Sequence, residues 1–379
     1  MTPACVDDYA RLARRRLPRV LADYIDGGAY AERTVAANVD DFRSVLLRQR
    51  VLQDVSVLST ETELFGRRYA VPFGLGPVGM AGMYARRGET QAARSAVAAG
   101  APFTLSTMSI CGVEEAAQAA GGPIWFQLYM MRDRAFMADV LARAKAAGVE
   151  VLVFTVDLPV PGARWREVRN GGHGSGLAGR LRNAADGLSH PGWFWDVFLH
   201  GRPHTLGNVA AAIPNSRGMT DFWGWVVKNF DPSVTWADLA WVRERWDGPL
   251  VIKGVLDVDD AKEAVAVGAE GIVVSNHGGR QLDDVPSSVA ALPGIAQAVG
   301  DRTTILMDGG VRTGLDVLKA LSLGARACLL GRAWAWALGA GGGPGVARML
   351  GLLEAELRVA MALTGCTDVR NAGPDLLVR

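Results

Sequence analysis

From residue 70 onward the hydrophobic pattern repeats one unit: a short apolar run, a polar tip, then an alanine-rich stretch with helical spacing. The apolar runs predict eight strands, at 70–76, 101–106, 123–128, 151–156, 249–253, 271–275, 304–307 and 327–330. Several are entered through a glycine, as at Ala99-Gly100-Ala101, Val267-Gly268-Ala269 and Leu323-Gly324-Ala325. Glycine there suits the left-handed residue that ends a helix before the next strand. Eight alternating strand and helix units predict a (β/α)8 TIM barrel over 70–338, with an open sheet as the competing arrangement.

The pattern changes in three places. Residues 1–69 form an extension that reads as helical and polar over 5–65, broken at Asp26-Gly27-Gly28. A stretch at 166–246 interrupts the repeat after the fourth strand. It is rich in Gly, Arg and His and then in aromatics, and it reads as a long irregular insertion. Apolar spacing at Met349, Leu352, Leu353, Leu357 and Met361 predicts a C-terminal helix over 346–364. All of this fits one domain, 1–379.

Composition narrows the partners. A formal net charge of +1 with 49% hydrophobic residues gives no footprint for nucleic acid and points to small ligands. The four cysteines show neither metal spacing nor a disulfide framework, so a reduced cytoplasmic setting and no metal site are expected. The basic N-terminus lacks the apolar core of a signal peptide, and no run reaches the length of a spanning helix.

The strand tips carry the chemistry. They supply Pro77-Val78-Gly79, Ser106, Gln127 and Tyr129, Thr155 and Asp157, Lys253, Ser275 and His277, Asp308-Gly309-Gly310, and Gly331-Arg332. Barrel interiors favour branched apolar residues, so a ring of polar tips points to a bound polar ligand. Of five histidines only His277 lies within the regular repeat, which makes it the candidate for proton transfer. The last two tips are glycine-rich and bring Arg312 and Arg332, a pattern suited to phosphate. Gly74-Leu75-Gly76-Pro77-Val78-Gly79 matches a dinucleotide fingerprint only formally. Pro77 removes an N–H, and the next strand ends without an acidic residue.

Taken together, Ser-Asn-His-Gly-Gly-Arg-Gln at 275–281, Lys253-Gly254, Phe126-Gln127-Leu128-Tyr129, Thr155-Val156-Asp157 and Asp308-Gly309-Gly310-Val311-Arg312 resemble the FMN-dependent α-hydroxy acid dehydrogenases and oxidases. Tyr-Ile-Asp-Gly-Gly-Ala-Tyr at 24–30, Met-Tyr-Ala-Arg-Arg-Gly-Glu at 83–89 and the insertion look most like the bacterial respiratory L-lactate dehydrogenases. The resemblance implies FMN as cofactor and oxidation of an L-2-hydroxy acid, with hydride passing from Cα to flavin N5. His277 would be the base and Asp157 its orienting carboxylate. Arg280 and Arg164 would grip the substrate carboxylate, and Tyr24 and Tyr129 would add phenolic donors. Lys253 would lie beside flavin N1. Pro77, Val78, Gly79, Ser106, Gln127, Thr155 and Ser275 would contact the ring, and Asp308, Gly309, Gly310, Arg312, Gly331 and Arg332 the ribityl and phosphate.

The resemblance also implies a homo-oligomer, a tetramer by analogy, at the cytoplasmic face of the cell membrane with a quinone as electron sink. Within the insertion, Arg166, Arg169, Arg180 and Arg182 with Trp193-Phe194-Trp195 and Trp223-Gly224-Trp225 suit a segment lying on a membrane surface, and a closing lid is the alternative. Gly79 stands where many oxidases of the family carry alanine, which favours a dehydrogenase over an oxidase using O2. Met108 would fill part of a small pocket and favour lactate over an aromatic acid such as mandelate. A reading from another class is a barrel aldolase with Lys253 as Schiff-base lysine.

Overall fold

The computed structural model describes residues 2–170, 177–213 and 219–378. His173 and the side chains of Arg180 and Trp223 lie outside the described residues. The chain enters through helices α1 (Val6–Arg16), α2 (Arg19–Asp26) and α3 (Arg33–Asp40), followed by a short hairpin of β1 (Thr62–Leu64) and β2 (Arg67–Tyr69). The expected helix over 5–65 therefore stops early. Residues 45–61 have no apolar stripe of helical period and run extended along the C-terminal end of the chain, with Arg50 N donating to Leu363 O and Ser59 N to Thr367 O.

Eight parallel strands form the barrel: β3 (Phe73–Leu75), β4 (Thr104–Ser106), β5 (Trp125–Tyr129), β6 (Val151–Thr155), β7 (Leu250–Val255), β8 (Gly271–Val274), β9 (Thr304–Asp308) and β10 (Ala327–Leu330). They pair in the order β3-β10-β9-β8-β7-β6-β5-β4, and a single bridge between Leu75 and Phe103 joins the two ends. All eight predicted strands are present, several of them shorter than read. The outer ring contains α4 (Gly88–Ala98), α5 (Val113–Ala120) and α6 (Arg134–Ala146), each following one of the first three strands.

Side chains alternate along the strands with the period of two that a pleat requires. Val151 and Val153 of β6, Val251 of β7, Val273 of β8 and Leu306 of β9 fill the barrel axis, while Leu152, Phe154, Ile252 and Ile272 pack outward against helices. The hairpin plugs the N-terminal end of the barrel. Leu64 and Tyr69 are buried on Trp125, whose indole N–H donates to the Tyr69 hydroxyl at 3.1 Å. With that end sealed, the open mouth is the C-terminal one.

The insertion between β6 and β7 is largely helical rather than irregular. It contains α7 (Trp165–Arg169), α8 (Leu177–Leu188), α9 (Pro191–Trp193) running into a π-helical turn (Phe194–Leu199), α10 (Met219–Asn229) and α11 (Leu239–Arg243). Part of it belongs to the core. Trp193, Val197, Leu206, Val209 and Phe222 are buried, and Asn208 accepts from Val113 N at 2.8 Å while donating to the Ser109 hydroxyl at 3.0 Å. After β7 come α12 (Val258–Ala266), α13 (Ser288–Val299) and α14 (Gly314–Ser322), then α15 (Arg332–Thr364), which contains the predicted C-terminal helix and bends at Gly341 and Gly342.

Removing the hairpin's buried leucine should loosen the plug without touching the mouth. Leu64→Ala is expected to lower stability by about 2–5 kcal/mol in chemical denaturation while leaving kcat unchanged. Unaltered stability would show that the hairpin does not seal the barrel.

Candidate active site

The tip of β8 turns back sharply because His277 adopts φ +56° and Gly278 and Gly279 follow at positive φ. Hydrogen bonds fix this turn. His277 N donates to Ser275 Oγ at 3.0 Å and Gly279 N to Asn276 Oδ1 at 3.0 Å. Asn276 exchanges two amide hydrogen bonds with Asn38 of α3, at 2.9 and 2.8 Å, which ties the N-terminal extension to the loop carrying the histidine. The strand-end pattern had not pointed to Asn38 or Asn276, because their pairing spans most of the chain.

His277 Nδ1 lies 2.9 Å from Asp157 Oδ1 at the tip of β6, which leaves Nε2 as the imidazole nitrogen available to a ligand. Burial pushes the His277 pKa below its ordinary value; Asp157 pulls it upward, and Lys253 pushes it further down. Burial also opposes charge on Asp157, but His277 and Lys253 outweigh it and hold its carboxyl below the usual range. The resting pair is thus a carboxylate and a neutral imidazole. Gly254 makes room for it: at φ +104° its missing Cβ would stand 2.5 Å from Asp157 Cγ.

Lys253 is buried and meets Asp308 Oδ2 at 3.0 Å and Ser275 Oγ at 3.1 Å. Burial disfavours its charge, yet Asp308 and Asp157 prevail and raise its pKa. A Schiff-base lysine needs a free amine, so this environment argues against the aldolase reading. Ser275 also donates to Asp308 Oδ1 at 2.6 Å. With one donor and two acceptor sites engaged by Asp308, Lys253 and His277, its hydroxyl ties these groups together.

Arg280 Nη1 donates to Tyr24 O and Gly27 O, both at 2.7 Å, and its guanidinium lies 4.7 Å from the Tyr24 ring centroid. Its Nη2 reaches Glu167 Oε1 at 3.3 Å, and Arg164 Nη1 reaches the same oxygen at 3.4 Å. Tyr24, Tyr129, Arg164, His277 and Arg280 thus share one cavity wall. Met108 and Leu158 line it too, and so do Val226 of α10 and Phe230 just beyond it. Phe230 packs edge-on to Tyr129 with centroids 5.6 Å apart. Sequence reading missed Glu167, Val226 and Phe230, since the insertion's period gives no sign that its last helix returns to the mouth.

The same cavity continues past Pro77, Val78, Gly79, Ser106, Thr155 and Lys253 to Asp308, Gly309, Gly310, Arg312, Gly331 and Arg332. Gln127 sits behind Ser106, accepting from its hydroxyl at 3.1 Å. The residues fit a flavin mononucleotide. Gln127 Nε2 and Thr155 Oγ1 are buried polar atoms with no protein partner among the described residues, as ring contacts require. Burial, reinforced by Arg280 and Arg312, lowers the Arg332 pKa to about 9, and burial lowers that of Arg312 to about 10. Two guanidiniums held at that cost beside a glycine turn suit a phosphate. A Cβ on Gly310 would lie 1.7 Å from Asn38 O, so only glycine lets the turn approach α3.

The membrane features divide. Trp193 is buried and donates to Met83 O at 2.8 Å, so it serves no surface, while the partly exposed Arg166 is paired with Glu32. Trp195, Phe198 and Leu199 of the π-helical turn are 65%, 38% and 40% exposed, and Leu181 and Leu188 of α8 are exposed as well. No helix among the described residues is long and apolar enough to cross a membrane.

Known proteins resemble this chain along its whole length. An L-lactate dehydrogenase from Caulobacter sp. (strain K31) is 59% identical, covering 98% of this chain and 97% of its own. One from Pseudomonas aeruginosa (strain LESB58) is 56% identical over 98% of this chain and 97% of its own. The crystal structure of the monotopic membrane protein (S)-mandelate dehydrogenase superposes with a TM-score of 0.93 at 35% identity, each chain covered completely. The family model for FMN-dependent dehydrogenase matches residues 13–379, and the chain belongs to that family.

Proposed function

We propose that the protein oxidises L-lactate to pyruvate and passes the electrons to a membrane quinone. The observation that carries this reading is His277, held through Nδ1 by Asp157, in a cavity that also holds Arg164 and Arg280. The curated relatives named L-lactate dehydrogenase support the choice of substrate.

Arg280 and Arg164 bind the substrate carboxylate with charge-assisted hydrogen bonds. Tyr24 and Tyr129 line the wall beside it; burial raises the Tyr129 pKa well above the ordinary value, so its phenol remains a donor. His277 takes the hydroxyl proton at Nε2 as the C=O bond forms, and Asp157 stabilises the imidazolium through Nδ1–H. FMN, when bound, supplies the acceptor for the hydrogen leaving Cα. Pro77, Val78, Gly79, Ser106, Gln127, Thr155 and Lys253 would hold its ring, and Gly309, Gly310, Arg312, Gly331 and Arg332 its phosphate end. Lys253, kept cationic by Asp308, would stabilise negative charge gathering on the ring.

His277→Gln is expected to retain FMN but lower the rate of lactate-driven flavin reduction by roughly 10²–10⁴-fold in stopped flow. In the wild type the base must be neutral and its pKa is lowered. The acid limb of kcat/KM should therefore fall below the ordinary histidine pKa and be absent in the variant. A rate within a few-fold of wild type would assign the base elsewhere.

Met108, Val226 and Phe230 line the same cavity as Arg164 and Arg280, and their bulk favours a methyl over a phenyl group. Phe230→Ala should raise the kcat/KM ratio of (S)-mandelate to L-lactate by about tenfold or more. An unchanged ratio would remove Phe230 from substrate selection.

The exposed apolar residues of α8 and the π-helical turn form the surface proposed to rest on the membrane, peripherally and at the cytoplasmic face, the arrangement that a homo-oligomeric quinone reductase would need. Much of the surrounding segment is core, so point changes test this better than deletion. Trp195→Ser with Phe198→Ser and Leu199→Ser should abolish co-sedimentation with anionic liposomes while dye-linked lactate oxidation persists. Equal binding by the triple variant, or none by the wild type at low salt, would leave the insertion as a lid.

A further inference from the structure

Three carboxylates answer the cations at the mouth, and one of them is shared. Asp308 faces Lys253 at 3.0 Å and Asp157 faces His277 at 2.9 Å. Glu167 stands between two guanidiniums, with Oε1 at 3.4 Å from Arg164 and 3.3 Å from Arg280. Its side chain is only 6% exposed, on the short helix α7 that follows the β6 tip. Both contacts exceed the roughly 2.7–2.9 Å of a tight charge-assisted bond, so neither fork is fully committed to Glu167.

Arg280 cannot swing far. Two backbone carbonyls at 2.7 Å hold Nη1, and the guanidinium stacks on Tyr24. Arg164 is tethered to it, its Nε donating to Arg280 O at 3.4 Å. Glu167 thus offsets part of the positive charge that Arg164 and Arg280 present to the cavity. Without the glutamate, two uncompensated guanidiniums in a low-dielectric wall would hold a carboxylate product much more tightly.

We infer that Glu167 is a positioning residue that aims Arg164 and Arg280 and, by offsetting part of their positive charge, limits carboxylate affinity so that the keto acid product leaves. This rests on the reading that a 2-hydroxy acid binds through these arginines. It concerns release and alignment, with no role for Glu167 in proton transfer.

The test uses the FMN-loaded enzyme and pyruvate as probe, titrated calorimetrically alongside steady-state kinetics. Glu167→Gln keeps the side chain's shape and removes its charge. It is expected to bind pyruvate about three- to tenfold more tightly at low salt and to lower kcat, with KM for lactate falling in parallel. A purely structural role would instead weaken binding or destabilise the fold, so pyruvate affinity equal to or weaker than wild type overturns the inference. Should that variant not fold, Glu167→Asp keeps the charge and displaces the carboxylate. It must then bind pyruvate within about twofold of wild type while kcat drops; tighter binding or an unchanged kcat overturns the inference. A wild type that neither binds pyruvate nor is reduced by lactate would overturn the substrate reading and this inference with it. A wild type that does both, with an unaltered Glu167→Gln, removes the inference alone.

Discussion

Burial of charge at the barrel mouth is the constraint on which the rest of the structure depends. An ionised group taken out of water is tolerated only when another charge or several hydrogen bonds replace its hydration. Asp157 meets His277, Asp308 meets Lys253, Glu167 meets two arginines, and Arg332 donates to the carbonyls of Ile25, Gly278 and Gly27. Apart from the local contact of Glu167 with Arg164, each pairing joins elements far apart in the chain, so the mouth is assembled only when the whole barrel and its extension are in place. The same pairings bias the protonation states toward an ionised Asp157 and a neutral His277, which the proposed reaction needs before substrate arrives.

The N-terminal extension and the insertion complete a site that the barrel begins. Asn38 of α3 holds Asn276, and the carbonyls of Tyr24 and Gly27 anchor Arg280. From the other side, α7 brings Glu167 and the end of α10 brings Phe230. The insertion therefore has two faces. One is core and cavity wall, carrying Trp193, Val197 and Val226, and the other exposes Trp195 and Leu199. A single segment thereby lines the cavity and exposes an apolar surface, because buried and exposed positions alternate along its helices.

The eight strands and the order of the polar tips could be read directly from the sequence. Short apolar runs bounded by glycine leave few alternatives to buried parallel strands, and a polar residue after each run has nowhere to go but the mouth. His277, Asp157, Lys253, Arg280 and the Gly309-Gly310 turn were legible for that reason. What the sequence misjudged were segments without a clean period. Residues 45–61 owe their extended course to pairing with the C-terminal end of the chain, and the insertion's helices owe their order to packing on the β4–α5 and β5–α6 loops. The sequence by itself determined the barrel and the chemistry of its tips, because both follow from local period and residue type. Only the tertiary structure decided that Ser275 serves Lys253 and Asp308, that Glu167 divides itself between two arginines, and that Val226 and Phe230 close the pocket. Those outcomes depend on distances between residues remote in the chain, which no local pattern encodes.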